Sequence, residues 1–222
     1  MKKIAVILSG CGVFDGSEIH EAVLTLLHIE KLGAQYQCFA PNIDQMHVIN
    51  HLTGEVDKQV SRNVLIESAR IARGEIKDVK ELNAQEFDAL ILPGGFGAAK
   101  NLCDFATQGA NSIMNKHVEN ACKQFSELRK PAAYICIAPA IIGHVYPKGV
   151  LMTIGTDIDT AEQINQLGAK HVNCDVSDFI YDETFNVIST PAYMLANSII
   201  EANTSIENTI SKVFEIMSND RG

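Results

Sequence analysis

Three largely apolar runs constrain this chain more than any other feature: Ile4 to Leu8, Phe87 to Leu92 (polar only at Asp88) and Ala132 to Ile135. Each stops abruptly at small or glycine-rich residues, in Ser9-Gly10-Cys11-Gly12, Pro93-Gly94-Gly95 and Cys136-Ile137-Ala138-Pro139. Runs of this length without polar alternation mark strands covered on both faces, as in parallel sheets. Between them lie stretches of helical periodicity. One begins near Glu18, with Ile19, Ala22, Val23, Leu26 and Leu27 as its expected buried face and Gly33 as its stop. Asp15 or Ser17 would cap that helix, with Glu18 as the third-position partner of a capping box with Asp15.

The same reading gives a strand at Tyr36 to Ala40 and a helix at Val64 to Ala72. A further helix carries Val118, Ala121, Cys122, Phe125 and Leu128, and a strand is expected at Val150 to Ile154. Asp157 then caps a helix, Phe179 to Ser189 forms a hairpin, and Ile206, Ile210, Val213, Phe214 and Met217 face inward on a closing helix. Residues 41–61 are less regular and suggest a hairpin or lid-like insertion. The expected architecture is an α/β fold, with a mostly parallel sheet sandwiched by helices. Nothing in the composition divides the 222 residues, so one domain over 1–222 is expected.

Composition narrows the function. A net charge of −9 without a Lys/Arg cluster argues against nucleic acid and against an anionic membrane surface. Six cysteines without a CxxC pair fit neither a zinc site nor a disulfide scaffold, so free thiols in a reducing compartment are expected. The apolar start is too short for a membrane span or a signal core. A soluble, cytoplasmic protein without metal or other cofactor is the expectation. His47 and His51 are four apart but lie in an irregular stretch without a third ligand.

In parallel sheets, active groups gather at the carboxyl ends of strands. The Ser9–Glu21 loop, the Gly94-Gly95 turn and Cys136 all fall there, so a carboxylate, bare backbone donors and a cysteine are expected in one cleft. Lys100 lacks the flanking residues of a phosphate loop, so Gly94-Gly95 is left as either an oxyanion-binding turn or a plain tight turn. Cys136 sits between a strand and a helix start, where partial positive charge would lower its pKa. The local pattern alone leaves it open between a reactive thiolate and an inert buried thiol.

The chain resembles the ThiJ/PfpI superfamily of the class I glutamine-amidotransferase-like fold, through Leu92-Pro93-Gly94-Gly95 and the strand–Cys136–helix elbow. Within it the resemblance is nearest to the glyoxalases of the enhancing-lycopene-biosynthesis (ElbB) type. Five segments carry that match: Ser9–Glu21, Pro93–Leu102, Cys136–Ala140, Gly155–Ala161 and Thr190–Ala196. The resemblance implies a flavodoxin-like homodimer with Cys136 as nucleophile and the amides of Gly95 and Ile137 as oxyanion donors. Its acid is Glu21, with Glu18 one turn earlier as the alternative.

It further implies cofactor-independent conversion of glyoxal to glycolate, a chemistry that extends to protein deglycation. No His-Glu pair downstream of Cys136 is recognisable, which argues against a glutamine amidotransferase, and Ile137 stands where the protease branch has histidine. The competing expectations are a redox sensor using a reactive cysteine and a regulatory partner of isoprenoid synthesis.

Overall fold

The computed structural model describes residues 1–219. In chain order the elements are β1 (Lys3–Ile7), α1 (Ile19–Lys31), β2 (Gln35–Ala40), α2 (Val64–Ile71), β3 (Ile76–Asp78) and β4 (Ala89–Leu92). Then come α3 (Phe96–Lys100), α4 (Phe105–Gln108), α5 (Lys116–Glu127), β5 (Ala132–Ile135), α6 (Ile142–Val145) and β6 (Leu151–Met152). The chain closes with α7 (Ile158–Gln166), β7 (Lys170–His171), β8 (Ile180–Asp182), β9 (Val187–Thr190) and α8 (Ile199–Asn219).

Seven strands form the main sheet in the order β3-β2-β1-β4-β5-β9-β8, parallel throughout except for the antiparallel edge strand β8. Alternation along each strand feeds two cores. Ile4, Val6, Ile91, Ala133 and Ile135 pack against α1, α2 and α8, while Ala5, Ile7, Leu90, Leu92 and Tyr134 pack against helices of the other face. All are fully or almost fully buried, at about 1.5–3 kcal/mol for each large aliphatic side chain. The strand order reverses between β1 and β4, and the crevice there opens at their carboxyl ends.

Three local expectations are corrected. The Val150–Ile154 run does not join the main sheet: β6 pairs only with β7, in a separate two-stranded sheet. Helix α1 is rotated from the face its apolar residues suggested, since Ile19, Val23 and Leu27 are exposed while Glu21, Thr25 and His28 are buried. Glu18 is not the capping-box partner of Asp15. It is itself the N-cap, its carboxylate accepting the Glu21 N–H at 2.7 Å.

Segment 41–61 does carry a short antiparallel bridge, Ile49 to Val56. It packs behind the β1 loop, where Asp15 accepts the Ile49 N–H at 2.7 Å and Asn101 accepts the Met46 N–H at 2.9 Å. None of its residues lines the crevice around Cys136.

Candidate active site

Cys136 follows β5 at φ 62°, a left-handed conformation that costs a non-glycine residue about 1–3 kcal/mol. The turn is held by the Cys136 N–H, which donates to the Thr190 carbonyl of the neighbouring strand at 2.9 Å. The side chain is thereby lifted out of the sheet toward the carboxyl end of β4. There Gly95, at φ 92°, and Ile137 aim their backbone N–H groups at the sulfur. Beyond Cys136 lies one tight 3-10 turn, Ala138–Ile141, and then the four-residue α6. The helix start expected after Cys136 is thus a 3-10 turn followed by one short helix.

Glu21 is fully buried against Cys136 and hydrogen-bonded to its thiol. Its Oε2 accepts the Gly94 N–H at 3.0 Å and its Oε1 accepts the Tyr193 N–H at 3.2 Å. Burial, and then the charge of Glu18, push the Glu21 carboxyl up to about 8, so it holds its proton at neutral pH. Burial and the Glu21 charge likewise push the Cys136 thiol up, opposed by the Gly95 and Ile137 N–H groups. The resting pair is an uncharged acid beside a thiol, so of the two states the sequence left open for Cys136 the ionised one is disfavoured at rest.

The sequence-derived candidates therefore meet at one point: Cys136, Glu21, Gly95 and Ile137 surround the sulfur, and Glu18 lines the same cavity of about 560 Å³. Tyr193 was missed. Its N–H reaches Glu21 because Ala192 adopts φ 41°, with its own N–H held by the Ser205 hydroxyl at 3.2 Å. The small residues around Thr190-Pro191-Ala192 hinted at a tight turn, but no local signal tied that turn to Glu21. Cys11 lies away from the cavity lining, toward Glu67 and Arg70 of α2.

Among the described residues no histidine lines the cavity and no metal-binding cluster occurs. His51 is occupied by the Ile49 carbonyl at 3.0 Å and the Phe14 N–H at 3.2 Å. No described helix is long and apolar enough to cross a membrane.

No family model matches the chain. It is 44% identical over 223 residues to the mitochondrial ES1 protein homolog of Rattus norvegicus, spanning 96% of this chain and 84% of the relative. It is equally 44% identical to the human mitochondrial glutamine amidotransferase-like class 1 domain-containing protein 3, spanning 96% and 83%. The crystal structure of an isoprenoid biosynthesis protein with amidotransferase-like domain from Ehrlichia chaffeensis superposes with a TM-score of 0.90 at 36% identity, over 97% of this chain and 99% of that one. Drosophila melanogaster DJ-1beta shares the fold at 17% identity and a TM-score of 0.53, over 98% and 96% of the two chains.

The cytoplasmic expectation is corrected by these relatives, whose names place them in mitochondria. Acidic composition and free thiols had pointed only to a reducing compartment, and the mitochondrial relatives show that such features do not single out the cytoplasm. With this identity over nearly its whole length, the chain belongs to the ES1 family of proteins with a class I glutamine-amidotransferase-like domain.

Proposed function

We propose that the protein, acting as one domain over residues 1–222, is a cofactor-independent enzyme for reactive carbonyls that converts glyoxal to glycolate. This is the chemistry implied by its ElbB-type resemblance, and it extends to early glycation adducts. The observation that carries the reading is the buried Glu21 carboxyl paired with Cys136, under two backbone donors. The Cys136 sulfur bonds to one aldehyde carbon, and the thiol proton passes through Glu21 to the carbonyl oxygen. The Gly95 and Ile137 N–H groups stabilise the charge developing on that oxygen.

Glu21 then accepts the proton from the adduct carbon on one carboxyl oxygen and donates from the other to the second carbonyl, giving an enediol. Glu21 returns a proton to the second carbon and takes the proton from the hydroxyl on the sulfur-bearing carbon, which leaves a hydroxyacetyl thioester. Water cleaves it to glycolate and regenerates the thiol, so the net reaction is glyoxal plus water giving glycolate and a proton. Amide hydrolysis is disfavoured, because no imidazole lines the cavity to protonate an amine leaving group.

The oxidant-sensor reading has less support, since oxidation follows thiolate character and burial opposes it at Cys136. The isoprenoid reading rests on the ElbB-type resemblance and on the description of the Ehrlichia protein, and no residue of the site speaks for it. The homodimer implied by the resemblance is part of this proposal, with the exposed apolar ridge Ile19, Val23 and Leu27 of α1 as the surface it would use.

The test is glycolate formation from glyoxal by wild type and Cys136→Ala, followed by NMR. Complete loss in the variant, with its unfolding midpoint within a few degrees of wild type, is the expected result. Undiminished glycolate formation would refute the proposal.

A further inference from the structure

Glyoxal fills only a small part of this cavity. At about 560 Å³ the space around Cys136 falls within the range of ligand pockets, about 300–1,000 Å³, whereas one water occupies about 30 Å³ in the liquid. A dialdehyde of four heavy atoms leaves most of that volume unfilled. The character of the remaining space is therefore informative about what else the substrate carries.

Two carboxylates line the cavity, Glu18 and Asp157, and no lysine, arginine or histidine does. Asp157 belongs to the far wall built by α7, where it caps the helix by accepting the Thr160 N–H at 2.8 Å. Hydrogen bonds from Thr160 hold its carboxyl below the usual range, so it is ionised at neutral pH. Phe96 and Phe105 add aromatic surface to the lining. Lys100 stands over Phe96 at 5.3 Å, but its Nζ donates to the Phe14 carbonyl at 2.8 Å, and it is not among the lining residues. An anionic substrate would meet two carboxylates and no cationic side chain in this lining, and a cationic one would find partners.

We propose that the Cys136 cavity selects α-oxoaldehydes, or adducts of them, that carry a cationic amino or guanidino group, and discriminates against those carrying carboxylate or phosphate. Asp157 is the specificity-determining residue on the far wall, and Glu18 adds the second negative charge. This selectivity rests on the reading of Cys136 as the site of carbonyl addition.

The experiment reads the charge preference at the sulfur without requiring turnover. Cys136 is labelled with three methanethiosulfonates of similar size, bearing a trimethylammonium, a neutral or a sulfonate group. Rates are read at Cys136 by peptide mass spectrometry and normalised to those of a small free thiol. In each reaction the Cys136 sulfur forms a mixed disulfide and methanesulfinate leaves, so no external oxidant enters.

The expected cation-to-anion ratio is about tenfold or more, in the range that a cleft of one charge sign produces. In Asp157→Asn, which keeps an equally good helix cap, the ratio falls about threefold while the neutral rate is unchanged. A ratio near unity, a preference for sulfonate, or a ratio unmoved in Asp157→Asn overturns the proposal. Absence of labelling at Cys136 by all three reagents overturns it together with the carbonyl-addition reading. Glyoxal turnover is measured alongside: its absence beside an intact cation preference sinks the enzyme reading alone.

Discussion

The backbone N–H of Gly94 donates to Glu21 Oε2 at 3.0 Å, and a side chain in place of its hydrogen would press on that oxygen at 2.7 Å and collide with the Cys136 Cβ. Gly94 is thus the spacer that allows a buried acid and a buried thiol to share one hydrogen bond. Gly94→Ala should lose about 1–3 kcal/mol of stability from overpacking, and should change the alkylation rate of Cys136 by forcing the pair apart. Urea unfolding and iodoacetamide kinetics check both. A variant as stable as wild type, with unaltered alkylation, would contradict the close fit.

Glu21 makes stability depend on pH. Its carboxyl is raised from 4.5 to about 8 in the fold, so between these values the native state keeps a proton that the unfolded chain releases. Wild type should therefore lose stability as pH rises through that window, by a few kcal/mol in order of magnitude, with no further loss above it. Glu21→Gln cannot titrate, so its stability should be flatter over the same range, although the amide forfeits one of the two backbone donors. Urea midpoints at several pH values compare the two proteins; parallel profiles would sink the assignment of a protonated Glu21.

Glu18 acts on the same titration from one turn away, because its charge is the second cause raising Glu21. Glu18→Gln should move the alkaline limb of the pH–rate profile with glyoxal to lower pH. It should also cost about 1 kcal/mol through the weakened cap on the Glu21 N–H. An unshifted limb would show that the two carboxyls do not interact.

The exposed ridge on α1 bears on assembly. Val23 is 50% exposed and Leu27 is 42% exposed, on a helix whose other side is sealed against α8. If two copies associate through it, paired Val23→Lys and Leu27→Lys changes should convert a dimer to a monomer in light scattering, with circular dichroism unchanged. A dimer that survives both lysines uses another surface.

Helix α1 shows where pattern reading stops. Apolar residues occur around much of its circumference, so a period of 3.6 residues per turn is satisfied by more than one face. The structure buries the face with Glu21, Thr25 and His28, and His28 Nε2 meets Asn203 Oδ1 of α8 at 2.9 Å. The Val150–Ile154 run fails for a different reason. The N–H groups of Leu151 and Thr153 go to side chains of main-sheet strands, Asp182 of β8 and Ser189 Oγ of β9, both at 2.8 Å, instead of to that sheet's backbone ladder. Strand propensity is local, but ladder membership depends on what lies alongside.

The sequence by itself determined the parallel strands, the turns that end them and the gathering of Cys136, Gly95 and an α1 carboxylate at one end of the sheet. Largely apolar runs admit few other arrangements, and small residues must follow where backbone bends sharply. Only the tertiary structure decided that Glu21 turns inward and that Tyr193, 172 residues away in sequence, completes its hydrogen bonds. It also decided that the pair rests with its protons on. Those outcomes depend on exclusion of water by α8 and the β9 turn, and desolvation is a property of the assembled fold that no stretch of chain carries alone.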